Sequence, residues 1–334
     1  MSRFMSYAVC LAALLLLSAA VCGCVSGSGK ATDTGTDKVT DKGNVVSPGD
    51  GGGKGDAKVT DIGAIVVERS GIIKIPAFEI NPEDVICENI ISPSILIDDG
   101  LYPMIDFEMS FITVSPNHET PLHLLKDTCE SIYITSGTAD MLINDRLMTA
   151  DAGTLVYVPM NTPMSVRNNG TGDLKYISIT NPPYDPANEI LENNSEYGIL
   201  RLKSENATAF IIDDIKQDTF FSDVSVRNLI NPAILKEYNQ NYTIGCGIAY
   251  VTIPKGSGTD PHVIEGTTEV DQILKGKGEI VVNSKIMSFK EGDTVYIQSG
   301  AHQGVTNTGS EDLIFLAVTY PPYDPSADSS VKRD

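Results

Sequence analysis

From residue 64 onward the chain is built of short apolar, β-branched runs separated by turn residues. IDFEMSFITV (105–114), CGIAYVTI (246–253), GEIVVN (278–283) and DTVYI (293–297) are of this kind. Gly, Asn, Asp or Pro punctuates them every eight to twelve residues or so, the spacing of short antiparallel strands. No amphipathic stretch of useful helical length interrupts them. The pattern predicts an all-β chain of antiparallel sandwiches or barrels. Residues 64–83 and 208–222 are expected to supply leading strands to the barrels that follow them. NEILENNSEYGILRLKSEN (188–206) reads as a connector or a partly helical segment.

The pattern occurs twice. Residues 84–186 align without a gap on 223–325, each position 139 residues before its counterpart, and nearly a third of the pairs are identical. Both copies close on the same phrase, ISITNPPYDP (177–186) and LAVTYPPYDP (316–325). A repeat of this length is too long for a blade or solenoid unit, so each copy is expected to be a domain. The expected organisation is a first domain at 64–187, a connector at 188–207, a second domain at 208–326 and a disordered tail at 327–334.

The N-terminus departs from this pattern. Arg3 precedes the apolar run AVCLAALLLLSAAV (8–21), which is short for a membrane span and reads as an export signal. The run ends in VCGC, which resembles the lipobox of secreted lipoproteins and implies cleavage before Cys24 and lipid on it. An ordinary cleaved signal and an uncleaved anchor are the alternatives. Residues 25–63 are mostly Gly, Ser, Thr, Asp and Lys, too polar to offset their chain entropy by burial, and are expected to be a disordered tether. Signal, lipid and tether together imply a protein held at the cell surface. Four sequons, at Asn169, Asn193, Asn206 and Asn241, are compatible with export.

Composition narrows the classes. The 334 residues are 41% apolar and carry a formal charge of -20, which argues against nucleic acid as a partner. Beyond the signal, Cys87, Cys129 and Cys246 are odd in number and occupy no equivalent repeat positions. Neither a disulfide framework nor a CxxC metal knuckle follows. There is no G-x-S-x-G elbow, phosphate-binding glycine loop or H-E-x-x-H helix.

The chemistry-bearing residues lie within the repeat. In the second copy Gly256 is followed by His262, Glu269 and Gly276, and Gly292 opens DTVYIQSGAHQGVTN, which ends at Asn307. His123, Glu130, Gly137, Gly153, Pro159 and Asn168 keep this spacing in the first copy. The set resembles the cupin signature, G-x5-H-x-H-x3–4-E-x6-G followed by G-x5-P-x-G-x2-H-x3-N. PPYDP is similar to the tail of small cupins described as mannose-6-phosphate-isomerase-like. The resemblance implies two tandem jelly-roll barrels, a bicupin, arranged as a pseudo-dimer within one chain. In that family three histidines and the glutamate usually hold one divalent metal, such as Mn, Fe, Ni, Co or Zn.

Half of that set is replaced. In the first copy Leu125 and Met164 stand where histidines are expected, leaving His123 and Glu130. A thioether is a poor ligand for a hard cation, so a metal-free His–Glu pair is expected there. In the second copy Ile264 replaces one histidine and Gln303 another, with His302 one residue off. Strand alternation turns His302 outward unless a bulge intervenes, which Gly304 would permit. Asp271 shares strand parity with Glu269 and is expected to face inward. His262, Glu269, Asp271 and Gln303, with His302 if a bulge turns it in, are thus the candidate metal ligands; a metal-free polar pocket is the alternative.

Three functions fit these residues. One is a lipid-anchored module binding a small polar ligand, such as a sugar or organic acid. The second is a metal-dependent isomerase, dioxygenase or decarboxylase. The third is a ligand-free surface scaffold whose barrels pack through their sheets and exchange N-terminal strands.

Overall fold

The computed structural model describes residues 63–78, 82–98, 104–192, 207–232 and 244–329. The signal, Cys24 and nearly all of the tether lie outside the described residues, as do most of the connector and residues 330–334. The first repeat region contributes β1 (Ala64–Val67), β2 (Lys74–Pro76), β3 (Val85–Ile91), the helix α1 (Pro93–Asp98), β4 (Glu108–Val114), β5 (His123–Leu125), β6 (Cys129–Ser136), β7 (Thr138–Ile143), β8 (Arg146–Asp151), β9 (Thr154–Val158), β10 (Met164–Asn168), β11 (Leu174–Asn181) and β12 (Glu189–Leu191). The second contributes β13 (Thr208–Ile211), β14 (Asp218–Phe220), β15 (Val224–Ile230), β16 (Gly247–Ile253), β17 (His262–Val263), β18 (Thr268–Lys275), β19 (Lys277–Val282), β20 (Lys285–Lys290), β21 (Thr294–Ile297), β22 (His302–Asn307) and β23 (Leu313–Tyr320). Apart from three-residue 3-10 turns, α1 is the only helix among the described residues. Pro93 opens it and the Ser92 hydroxyl accepts from the Ile95 amide.

The chain therefore folds as two antiparallel jelly-roll barrels. In the first, a seven-stranded sheet of order β13-β9-β6-β11-β4-β3-β2 faces a five-stranded sheet of order β12-β5-β10-β7-β8. In the second, β1-β21-β18-β23-β16-β15-β14 faces β17-β22-β19-β20. At the hairpins where β6 meets β7 and β18 meets β19, Gly137 and Gly276 adopt φ of 87° and 86°. A side chain there would be strained, and at Gly276 it would also lie 2.9 Å from the Asp312 carbonyl oxygen.

The leading strands are exchanged. β1 pairs with β21 of the second barrel, Ala64 opposite Ile297, while β13 pairs with β9 of the first, Thr208 opposite Tyr157. The expectation that each leading segment serves the barrel that follows it holds for its second strand, β2 beside β3 and β14 beside β15, and is corrected for its first, whose crossing is the pseudo-dimer arrangement foreseen for a scaffold. Two boundaries also change. Glu189–Leu191, expected in the connector, pairs with β5. The expected tail begins later than 327, because the Glu265 amide donates to the Ala327 carbonyl and Ile264 bridges to Asp328. Short polar segments of this kind carry little periodicity, and backbone pairing to a distant strand decides their placement.

Exchange leaves each large sheet buried on both faces. Leu313 and Phe315 of β23 point into the second barrel, with Ile280, Val295 and Val305. Leu316 and Val318 of the same strand point the other way, into a core shared with Phe107, Met109, Ile177 and Ile179 of the first repeat. Burial on both faces explains why LIFLAV (313–318) reads as a continuous apolar run, while ISITN (177–181) alternates because Ser178 and Thr180 face the first cavity.

Arg69 ties the exchanged arm down. Its Nε and Nη2 donate to Glu88 Oε2 at 3.0 and 2.7 Å, its guanidinium lies 3.8 Å from the Phe111 ring centroid, and its amide donates to Asp293 Oδ1 of the second repeat at 3.4 Å. Burial alone would raise the Glu88 pKa; hydrogen bonds and charge from Arg69 and Lys74 outweigh it and hold the carboxyl below its ordinary value. Arg69→Ala strands a buried carboxylate that keeps only Lys74, so a loss of about 1–3 kcal/mol is expected. Because the Glu88 pKa is depressed on folding, this contribution is present above its unfolded value and fades as pH falls through the folded one. Melting curves of wild type and variant should therefore differ by several degrees at pH 7 and converge in acid; a constant gap would contradict the assignment.

Candidate functional site

Each barrel encloses a cavity, about 210 Å³ in the first and about 120 Å³ in the second. Equivalent residues line both: His123 and His262, Glu130 and Glu269, Thr180 and Thr319, Tyr184 and Tyr323, Glu189 and Asp328. His123 and His262 each place Nδ1 at 2.8 Å from a backbone carbonyl two residues upstream, Pro121 and Asp260 respectively. A carbonyl can only accept, so in both histidines Nδ1 carries a proton and Nε2 is turned away from that contact.

The tail phrase PPYDP acquires a role here. Tyr184 donates to Glu189 Oε2 at 3.0 Å, and Tyr323 donates to Asp328 Oδ2 at 2.9 Å. Each tyrosine and its acid thus form one wall of the cavity. The leading segments supply another wall. Phe78 packs on His123 with ring centroids 5.3 Å apart, and Phe221 on His262 at 5.1 Å. These phenylalanines are 143 residues apart rather than 139, so the repeat alignment does not bring them together.

In the first barrel, Glu130 accepts from the Ser178 hydroxyl at 2.5 Å. Burial pushes its carboxyl up, opposed by Ser178 and His123 and reinforced by Glu189. Glu108, a residue the repeat does not single out because its counterpart is Gly247, accepts from Asn89 Nδ2 at 3.0 Å. Burial raises it to about 7, against the Ser110 hydroxyl that lowers it. Leu125 and Met164 line this cavity beside His123.

In the second barrel, β17, β18 and β22 bring His262, Glu269, Asp271 and Gln303 to one cavity. Gln303 Nε2 donates to Glu269 Oε2 at 2.9 Å. Asp271 is only 3% exposed, and its Oδ1 has no partner among the described residues. Burial first, then the Glu269 carboxylate, pushes Asp271 well above the usual carboxylate range.

His302 does not join them. The pairing of β19 with β22 runs unbroken from Gly278 opposite Asn307 to Val282 opposite Gln303, so Gly304 makes no bulge and strand alternation leaves His302 exposed. This corrects its place in the candidate metal set.

The donors present do not fit a divalent ion. Gln303 turns its amide nitrogen, not its carbonyl, toward Glu269. Burial, and then the neighbouring Glu269 carboxylate, opposes ionisation of Asp271. Among the described residues, no group of three or more His, Cys, Asp or Glu side chains is placed to hold a metal. In the first barrel Leu125 and Met164 occupy the positions from which further ligands would come, and Ser178 engages Glu130.

The molecule is thus two jelly-roll barrels joined by exchanged strands, each with a half-open cavity whose mostly apolar lining carries a small polar cluster. The chain carries two cupin domains, the arrangement of a bicupin: residues 110–180 and 249–319 each match the cupin domain. It is 32% identical over 98 residues to an uncharacterized protein of Methanocaldococcus jannaschii, covering 29% of this chain and 74% of that one. It is 40% identical over 70 residues to an oxalate-binding protein of Thermotoga maritima, covering 21% of this chain and 58% of the relative. Among solved structures, oxalate decarboxylase from Bacillus subtilis superposes with a TM-score of 0.59 at 14% identity, covering 80% of this chain and 78% of that one. At that identity the superposition bears on fold alone.

Proposed function

We propose that this chain is a binding protein for small polar molecules, with no resident metal, held at the outer face of a membrane by lipid on Cys24. The observation that carries the binding reading is the pair of cavities lined at equivalent positions by His, Glu, Thr and a Tyr–acid pair. A scaffold without ligand has no use for buried polar groups, which cost free energy unless they are paired. The oxalate-binding relative supports the class of ligand in size. A free dicarboxylate is disfavoured in charge, because no Lys or Arg lines either cavity among the described residues. The anchor rests on the export run and VCGC motif of residues 8–24.

Thermal melts of the full chain against Mn, Fe, Ni, Co and Zn, and against small sugars, polyols, amines and carboxylates, test the proposal. The expected result is stabilisation by an organic ligand and none by the metals, since only a species that binds the folded state raises the melting temperature. Stabilisation by a metal at stoichiometric loading would overturn the metal-free reading. Cys24→Ser should release the protein from membranes; retention would overturn the lipid anchor.

A further inference from the structure

The two cavities share their frame, yet their inner walls differ at one position of consequence. Where the first barrel has Ile132, packed in its core, the second has Asp271. Strand parity aims both Glu269 and Asp271 into the second barrel, and Asp328 enters from the chain's end. A buried carboxyl with an unpartnered oxygen is costly. Asp271 Oδ1 is such an atom, so a ligand supplying a hydrogen-bond donor is the natural means of satisfying it.

The charge and shape of that ligand follow from what else is present. His262, Glu269, Asp271, Tyr323 and Asp328 are the titratable groups lining the cavity, and no Lys or Arg balances them among the described residues. The rest of the lining is apolar and aromatic. Phe221 packs on His262, Phe315 stands on β23 beside the strand that carries the carboxylates, and Val305 faces them from the smaller sheet. Carboxylates and aromatic faces lining one cavity are the combination that attracts an organic cation. A cavity of about 120 Å³ admits only a small one.

We propose that the second barrel binds a small organic ammonium compound, its cationic head against Glu269 and Asp271 and its carbon skeleton against the Phe221 and Phe315 wall. The inference rests on the small-molecule-binding reading above and adds the ligand class for this barrel. The unpartnered Asp271 Oδ1 and the neighbouring Glu269 carboxyl give an ammonium head its hydrogen-bond acceptors. The first barrel, with Ile132 at this position, lacks the second inward carboxylate on that strand.

Calorimetry on the full chain tests this, with choline and ethylammonium as cationic probes and 3,3-dimethyl-1-butanol as the uncharged isostere of choline. The expected result is binding of at least one cation, and at least ten-fold weaker binding of the alcohol. Asp271→Asn, which preserves shape and removes a buried acid, should retain the fold by circular dichroism and weaken the cation at least ten-fold. Phe221→Ala should weaken the cation as well. Equal binding of cation and alcohol, or an unaltered Asp271→Asn variant, would overturn the proposal. If both cations fail while a neutral polyol binds and is lost in Phe221→Ala, the ammonium assignment falls and the binding reading stands. If no small molecule binds at all, both fall.

Discussion

Expressed separately, residues 63–192 and 207–329 are expected to yield no folded monomer, whereas the two segments produced together should recover a one-to-one complex. The reason is the core between the large sheets. Phe107, Met109, Phe111, Ile177, Ile179 and Phe210 belong to it and are buried in the intact chain. At about 1.5–3 kcal/mol for each such side chain, these six alone amount to about 9–18 kcal/mol. That rivals the whole stability of a typical domain, about 5–15 kcal/mol. A lone first half also lacks β13 beside β9, and a lone second half lacks β1 beside β21, which bares an edge strand in each. Sedimentation and near-ultraviolet circular dichroism provide the measurement. Aggregates or like-with-like dimers are the expected state of either half alone. A monomeric half melting cooperatively near the temperature of the full chain would contradict the shared core.

This exchange shows where the amino-acid sequence could be read and where it could not. The strands of each barrel were legible because β-branched runs, turn residues and a gapless repeat all point to one answer. The same repeat placed His262, Glu269 and Gln303 correctly on one cavity, and simple alternation brought in Asp271. What the pattern does not contain is the identity of a strand's neighbour. AIVV at 64–67 would suit either barrel, and pairing with β21 is decided by tertiary contact. Two cavity walls were illegible for a similar reason. Phe78 and Phe221 lie outside the aligned region and four residues out of register, while Asp328 lies in a polar tail that looks featureless until its backbone meets Ile264. Tyr184 and Tyr323 did leave a signal, since a phrase as specific as PPYDP is rarely repeated intact for packing alone.

Restoring two histidines in the second barrel should convert it into a metal site, and this is the largest change in binding expected of any substitution in the chain. Ile264 and Gln303 line the same cavity as His262 and Glu269, from β22 and from the residue following β17. Ile264→His with Gln303→His would therefore bring three imidazoles and a carboxylate to one space. It would also remove the amide that occupies Glu269. Imidazole and carboxylate together suit Mn, Fe, Ni, Co and Zn. Asp271 would gain from the same change, because a cation favours the ionised form that burial now opposes. The wild type is expected to bind none of these metals. The double variant should bind one equivalent at micromolar or lower concentration. At a metal concentration about a hundred times the dissociation constant, the stabilisation is about 2.7 kcal/mol, or roughly 5–10 °C in a melt. The corresponding pair in the first barrel, Leu125→His with Met164→His, provides a comparison in which Ser178 still competes for Glu130. A weaker gain is expected there. If neither double variant took up metal while both kept their fold, the replaced histidines would not account for the proposed lack of a resident metal, and the backbone around β17 and β22 would have to be the obstacle.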